Sequence, residues 1–304
     1  MGIGELSALT AAALWAASSL FWSSFRLAAW EMNLCKSLLG AAMVLLHLMV
    51  VAHWYDLPVF HAEIRAWVLL GFSGLVGLAI GDTFFFRSLQ ILGPRRALML
   101  ATTSPIFVAA LGWTLLGERL LSLTIVGILV AIFGVVIVLS DRKASLEQPN
   151  LMPGTLSSGI FTGTMASLCQ AIGIVFSKWA MRGSDGEALC DPMEATFIRL
   201  LLSGIMILAV VLLRSKLVSM LTVIRSEKIF WRLMAGTALG TWLGIGASMI
   251  AISHTDAAVA QTLMATCPLF AIPILWIVKK QPATLIAICG TIISILGVGL
   301  VVYR

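Results

Sequence analysis

The sequence predicts an all-α polytopic membrane protein, ten transmembrane helices arranged as two inverted five-helix repeats. Three observations predict it. With 60% hydrophobic and 11% charged residues and a mean hydropathy of +1.03, the chain lies outside the range of soluble domains. Ten apolar runs approach the roughly 20 residues that cross a bilayer core as helix. One unit also occurs twice: Thr103-Ser104-Pro105-Ile106-Phe107 returns 163 residues later as Thr266-Cys267-Pro268-Leu269-Phe270. The same offset carries Trp113 onto Trp276, Gly127 onto Gly290 and Gly134 onto Gly297. A duplicated hydrophobic unit with prolines at matching mid-helix positions is the sequence sign of an alternating-access carrier, whose site lies between its halves.

The runs fall near Leu6–Phe25, Leu34–Ala52, Trp67–Phe86, Ala97–Leu116 and Leu121–Leu139, then Thr155–Lys178, Thr196–Leu213, Trp231–Ile252, Ala257–Val278 and Ala283–Val302. A spanning barrel would show short alternating segments instead. Met1–Ser7 carries Glu5 and no Lys or Arg, so the first run reads as a retained span rather than a signal peptide. The turn-rich stretch 141–152 separates a first repeat, 1–140, from a second, 153–304. Five spans per repeat is an odd number, which inverts the second copy. Glu31 and Lys36 recur as Glu194 and Arg199, while the match weakens at the first and sixth spans. Glycines at 71, 74 and 77, at 127 and 134, and at 236, 240, 244 and 246 suit close helix packing.

Five cysteines are scattered without C-x-x-C spacing, and the four histidines show no ligand pairing, which argues against a metal, a cofactor or a disulfide framework. His53 and His61 are expected in a solvated loop. The formal charge of +6 suits anionic lipid headgroups rather than nucleic acid. Fourteen of the 20 Lys and Arg fall on one set of loops and span ends and six on the other, which by the positive-inside rule puts both termini outside the cytoplasm.

Polar residues inside apolar runs are the candidates for chemistry, because a buried charge costs several kcal/mol unless it is paired or faces water. Asp82, in Gly81-Asp82-Thr83-Phe84-Phe85-Phe86-Arg87, reads as a coupling acid or a partner for a substrate amine, with Phe86 one turn on as an aromatic wall. Its structural alternative is an ion pair with Arg87, Lys36 or Lys178. Lys36 and Arg199 are repeat-equivalent cations, and symmetry gives them a shared task, whether snorkelling or ligand contact. Gln170 and Lys178 lie two turns apart on one face of the sixth span, a polar stripe suited to a water-lined cavity. Gln261 is a cavity donor and Trp15 an aromatic wall or packing residue. Pro105 and Pro268 are hinges, each expected to remove a mid-span hydrogen bond. Trp30, Trp54, Trp67 and Trp231 read as interface anchors.

An enzyme is the competing class. The pair Tyr55-Asp56 and Ala79-Ile80-Gly81-Asp82 only partly matches the motifs of an intramembrane aspartyl protease, and no nucleophile elbow, zinc helix or phosphate-binding loop is present. The run Gly81-Asp82 through Gly93-Pro94-Arg95-Arg96-Ala97, Ser104-Pro105, Gly117-Glu118-Arg119-Leu120, Gly127 and Gly134-Val135 resembles the EamA-type repeat of the drug/metabolite transporter superfamily. Gly240-Thr241, Ala265-Thr266-Cys267-Pro268-Leu269-Phe270 and Pro273 resemble its second copy. The resemblance implies ten helices, a central cavity and export of small metabolites, often coupled to protons or by exchange, with termini in the cytoplasm. It also implies a small-molecule substrate, surrounding lipid and a monomer or homodimer in a bacterial cytoplasmic membrane. Lipid flipping is the alternative transport role. The second copy departs from the pattern, with Lys280-Gln281-Pro282 where the first has Gly-Glu-Arg.

Overall fold

The structure is a computed structural model and describes residues 2–22, 28–140, 154–182, 189–214, 227–279 and 284–302. The connection at 141–152 lies outside the described residues. Every regular element among those described is helical. The first repeat comprises α1 (Ile3–Trp22), α2 (Ala29–Tyr55), α3 (Ile64–Ser73), α4 (Asp82–Ala101), α5 (Ser104–Leu111) and α6 (Ser122–Ser140). The second comprises α7 (Leu156–Met181), α8 (Pro192–Leu213), α9 (Glu227–Thr237), α10 (Gly244–His254), α11 (Ala257–Met264), α12 (Cys267–Lys279) and α13 (Leu285–Val302).

Helix ends follow local chemistry. Asp191 caps α8 by accepting from the Met193 and Glu194 amides at 2.7 and 3.4 Å, and Pro192 fills the next position, where no donor is needed. Thr155 caps α7 through the Ser158 amide. At the far end of α2, Asp56 adopts a left-handed conformation (φ 52°) and stops the helix. That helix runs far enough to contain His53, which is exposed on a helix rather than in the expected loop.

Among the described residues, six helices are long and apolar enough to cross a membrane, and four shorter apolar ones cover the remaining runs. Although α4 is helical throughout 82–101, it does not run straight. A Cβ on Gly163 of α7 would lie 2.8 Å from Ser88 Oγ and 2.3 Å from the end of the Leu100 side chain. Twelve residues of straight helix would separate those two by about 18 Å, so the chain reverses between them.

The duplication survives in three dimensions. A π-helical stretch, Gly74–Gly81, joins α3 to α4, and another, Ala238–Leu243, joins α9 to α10 at the repeat-equivalent place. Carbonyls freed in the first, Leu78 and Ala79, accept from Asn33 Nδ2 at 2.8 and 3.1 Å. In the second, Gly240 accepts from Trp15 Nε1 at 2.9 Å. A buried backbone carbonyl in the membrane needs such a partner.

Both proline helices are interrupted at the same point. Thr103 donates its amide and hydroxyl to Leu100 O at 3.1 and 2.7 Å, and Thr266 does the same to Leu263 O at 3.2 and 2.6 Å. Pro105 and Pro268 then sit in the first turn of α5 and α12. The expectation that each removes a mid-span hydrogen bond is thereby corrected. A first-turn proline lacks an amide that would have had no intrahelical partner, and the interruption is made by the preceding threonine turn.

The two repeats interlock. Helix α1 of the first packs against α9 through α12 of the second, and α7 of the second packs against α3, α4 and α5 of the first. Glycines set the approach: Gly77 and Gly173 meet backbone to backbone, and Gly240 and Gly244 receive Ser18 and Trp15. The remaining repeat mates pair directly. In α6 and α13, Gly127 lies against Gly297 and Gly134 against Gly290, an order that requires antiparallel helices and maps onto itself under the repeat offset. Between α2 and α8, Ser203 reaches Ser37 at 3.4 Å and Gly40 meets Leu200, the same contact seen from each copy. Repeat-equivalent helices therefore run in opposite directions about one pseudo-twofold axis.

Candidate functional site

Lys36 and Asp82 meet in a part-buried ion pair. Lys36 comes from α2, and Asp82 is the first residue of α4 where the π-helical stretch ends. The Lys36 Nζ also lies 5.9 Å from the centre of the Phe86 ring, which in turn contacts Trp22 at 6.2 Å between centroids. Asn33, one turn before Lys36, adds a bond to Thr83 Oγ1 at 3.0 Å. The acid thus stands at a re-aimed helix junction with a cation on one side and aromatic rings below. Of the three partners the sequence left open for Asp82, Lys36 is in contact with it.

Arg199 sits on α8, only 1% exposed. Its Nη1 donates to Met249 Sδ at 3.2 Å, whereas Nε and Nη2 have no hydrogen-bond partner among the described residues. The guanidinium edge lies beside Gly77 and Gly173, which present backbone and no side chain. Asp82 follows about one turn after Gly77, where the same π-helical stretch ends.

Lys178 does not join this cluster. It pairs with Glu118 at 2.5 Å and donates to Thr255 O at 2.6 Å. The Glu118 carboxylate also accepts from the Ala257 amide at 3.1 Å, at the start of α11. Three connections, the α5–α6 turn, the end of α7 and the α10–α11 junction, are thereby clasped at one end of the bundle. The expected stripe of Gln170 and Lys178 along one cavity is corrected: Lys178 is held by a carboxylate the sequence reading did not assign to it. Gln170 is half-buried on α7 beside Gly81.

Gln261 lies in α11, with Nε2 on Ser104 Oγ at 3.2 Å and Oε1 lacking a partner among the described residues. Trp15 is half-buried and serves the π-helical carbonyl of Gly240, which gives it a structural role beyond a bare aromatic wall. Lys36, Asp82, Phe86 and Arg199 are thus brought together, while Trp15, Gln170, Lys178, Gln261 and the prolines surround them on other helices. Asn33 and Met249 were missed. Asn33 could have been found as a lone amide inside an apolar run; Met249 carries no such signal.

A multi-pass helical bundle of two inverted, interlocked repeats, with charges buried where the repeats meet, is the architecture of a membrane transporter. The model of the EamA-like transporter family matches residues 2–140 and again 157–303, and the chain belongs to that family. No curated protein matches it in sequence. A solved structure, described only as the crystal structure of a protein, superposes with a TM-score of 0.74 at 15% identity over 98% of this chain and 96% of that one, which bears on the fold alone.

Proposed function

We propose that the chain is a secondary active carrier that exports small metabolites, amino-acid-like or amphiphilic, across a bacterial cytoplasmic membrane. The polypeptide crosses ten times, and the two interlocked bundles rock about the pseudo-twofold axis to expose a central site alternately to each side. The observation that carries this reading is the set of charges where the repeats meet: the Lys36–Asp82 pair and, beside Gly77 on the stretch that ends at Asp82, the Arg199 guanidinium with Nε and Nη2 unpartnered among the described residues. An ion pair inside the bundle is weak evidence for stability, since apolar residues would serve a static bundle as well or better, but it suits a site that must exchange partners. The sequence has no nucleotide-binding loop, so a gradient supplies the drive.

The clasp of Glu118, Lys178 and Ala257 holds one end of the bundle shut, and its release is the step that opens that end. The test is efflux from cells producing the protein, set against Asp82→Asn and empty cells. A compound released by the unmodified protein and at least tenfold less by the variant is the expected result. Release no greater than from empty cells, across amino acids and related metabolites, would count against the reading.

A further inference from the structure

The repeat supplies its own control experiment. The offset of 163 that carries Lys36 onto Arg199 also carries Asp82 onto Ile245 and Phe86 onto Met249. In the first copy the cation lies against the residue four places after the acid, Lys36 over Phe86. In the second the same contact recurs, Arg199 Nη1 on Met249 Sδ at 3.2 Å. Each cation thus touches the residue four places after the acid position, although the cation and that neighbour change type between the copies. Where the first copy provides a carboxylate, the second provides Ile245, a buried aliphatic side chain.

Arg199 consequently keeps a full charge with Nε and Nη2 undirected, next to Gly77 and Gly173. The cluster Lys36, Asp82, Arg199 sums to one positive charge when all three are ionised. A guanidinium is suited to this task, since its planar fork takes a carboxylate through two parallel hydrogen bonds, which the Lys36 ammonium cannot do.

The geometry points to Arg199 as the binding site for a ligand carboxylate, which takes in the second repeat the place that Asp82 fills in the first. Resting on the carrier reading for its biological meaning, this makes the substrates organic acids or zwitterions bearing a carboxylate. Ile245 is then the specificity-determining residue: an acid there would satisfy Arg199 from within and exclude the ligand.

Thermal unfolding of the purified full chain in detergent tests it, with a monocarboxylate series from acetate to benzoate as probes and the matching primary amides at equal ionic strength as controls. The expected result is a saturable rise in Tm with at least one acid and none with its amide. In Ile245→Asp the acid response falls at least tenfold in apparent affinity while the unliganded Tm rises. In Arg199→Gln, which removes the charge without adding one, the response is lost as well. Equal effects of acid and amide, no response to any acid, or an Ile245→Asp protein that titrates like the original would each overturn the assignment. Because the readout is binding, absent flux in proteoliposomes would retire the carrier reading and leave the site standing. A neutral compound transported equally by the original and Ile245→Asp would do the reverse.

Discussion

Glu118 is the residue with most depending on it. Its carboxylate is 5% exposed, answers the Lys178 ammonium and receives the first amide of α11. Removing one member of a buried pair strands the other, at a cost of about 3–5 kcal/mol. Glu118→Gln should therefore lower the Tm measured in detergent, and Glu118→Gln with Lys178→Met together should recover part of the loss because no charge is left stranded. A double variant no more stable than the single one would show that the amide bond to Ala257, rather than the ion pair, carries the clasp. Sequence groups Lys178 with Gln170 for a physical reason. Helical spacing shows which residues share a face of one helix, but Glu118 is 60 residues away and the contact exists only because α7 crosses into the other repeat.

At the scale of helices, glycine does most of the positioning. The α6–α13 contact is the clearest case: a Cβ on Gly134 would stand 2.3 Å from the Ser294 amide nitrogen, a backbone atom that cannot step aside. Gly134→Ala is expected to cost about 1–3 kcal/mol by overpacking, whereas Gly299→Ala on α13, with nothing within 4 Å, should be neutral. Unfolding of both variants in mixed micelles would separate the two, and an equal effect would mean that helix propensity and not packing decides. The apolar runs and the repeat offset were readable because hydropathy and self-similarity are local properties. The π-helical stretches were not. A glycine-rich run permits them, but whether the carbonyls they release are stabilised depends on Asn33 and Trp15 arriving from other helices.

For the whole molecule, the buried cations change the topology argument. Lys36, Lys178 and Arg199 are enclosed among helices and cannot report on loop charge. Setting them aside turns fourteen against six into thirteen against four, and the bias toward the set of loops opposite the termini grows. Gly4 packs on Thr255 and Val301 on Gly127, which places the start of α1 and the end of α13 at the clasped end of the bundle. A reporter active only in the cytoplasm, fused after Arg304, should then be silent. Activity there would reverse the orientation and put the clasp on the cytoplasmic side. The repeat was legible from the second span of each copy onward, whereas its interlocking was not, because an offset between two copies says nothing of which copy each helix leans on.

That interlocking has a consequence for biogenesis. Trp15 must reach Gly240, 225 residues further along the chain. At synthesis rates of about 5–20 residues per second the first helix waits roughly 10–45 s in the bilayer before its partners exist. During that interval α1 carries an indole donor with nothing from the second repeat to receive it. The opening helix is thus an orphan for most of translation, and its survival depends on whatever shelters unfinished membrane proteins until the eighth and ninth runs have been inserted.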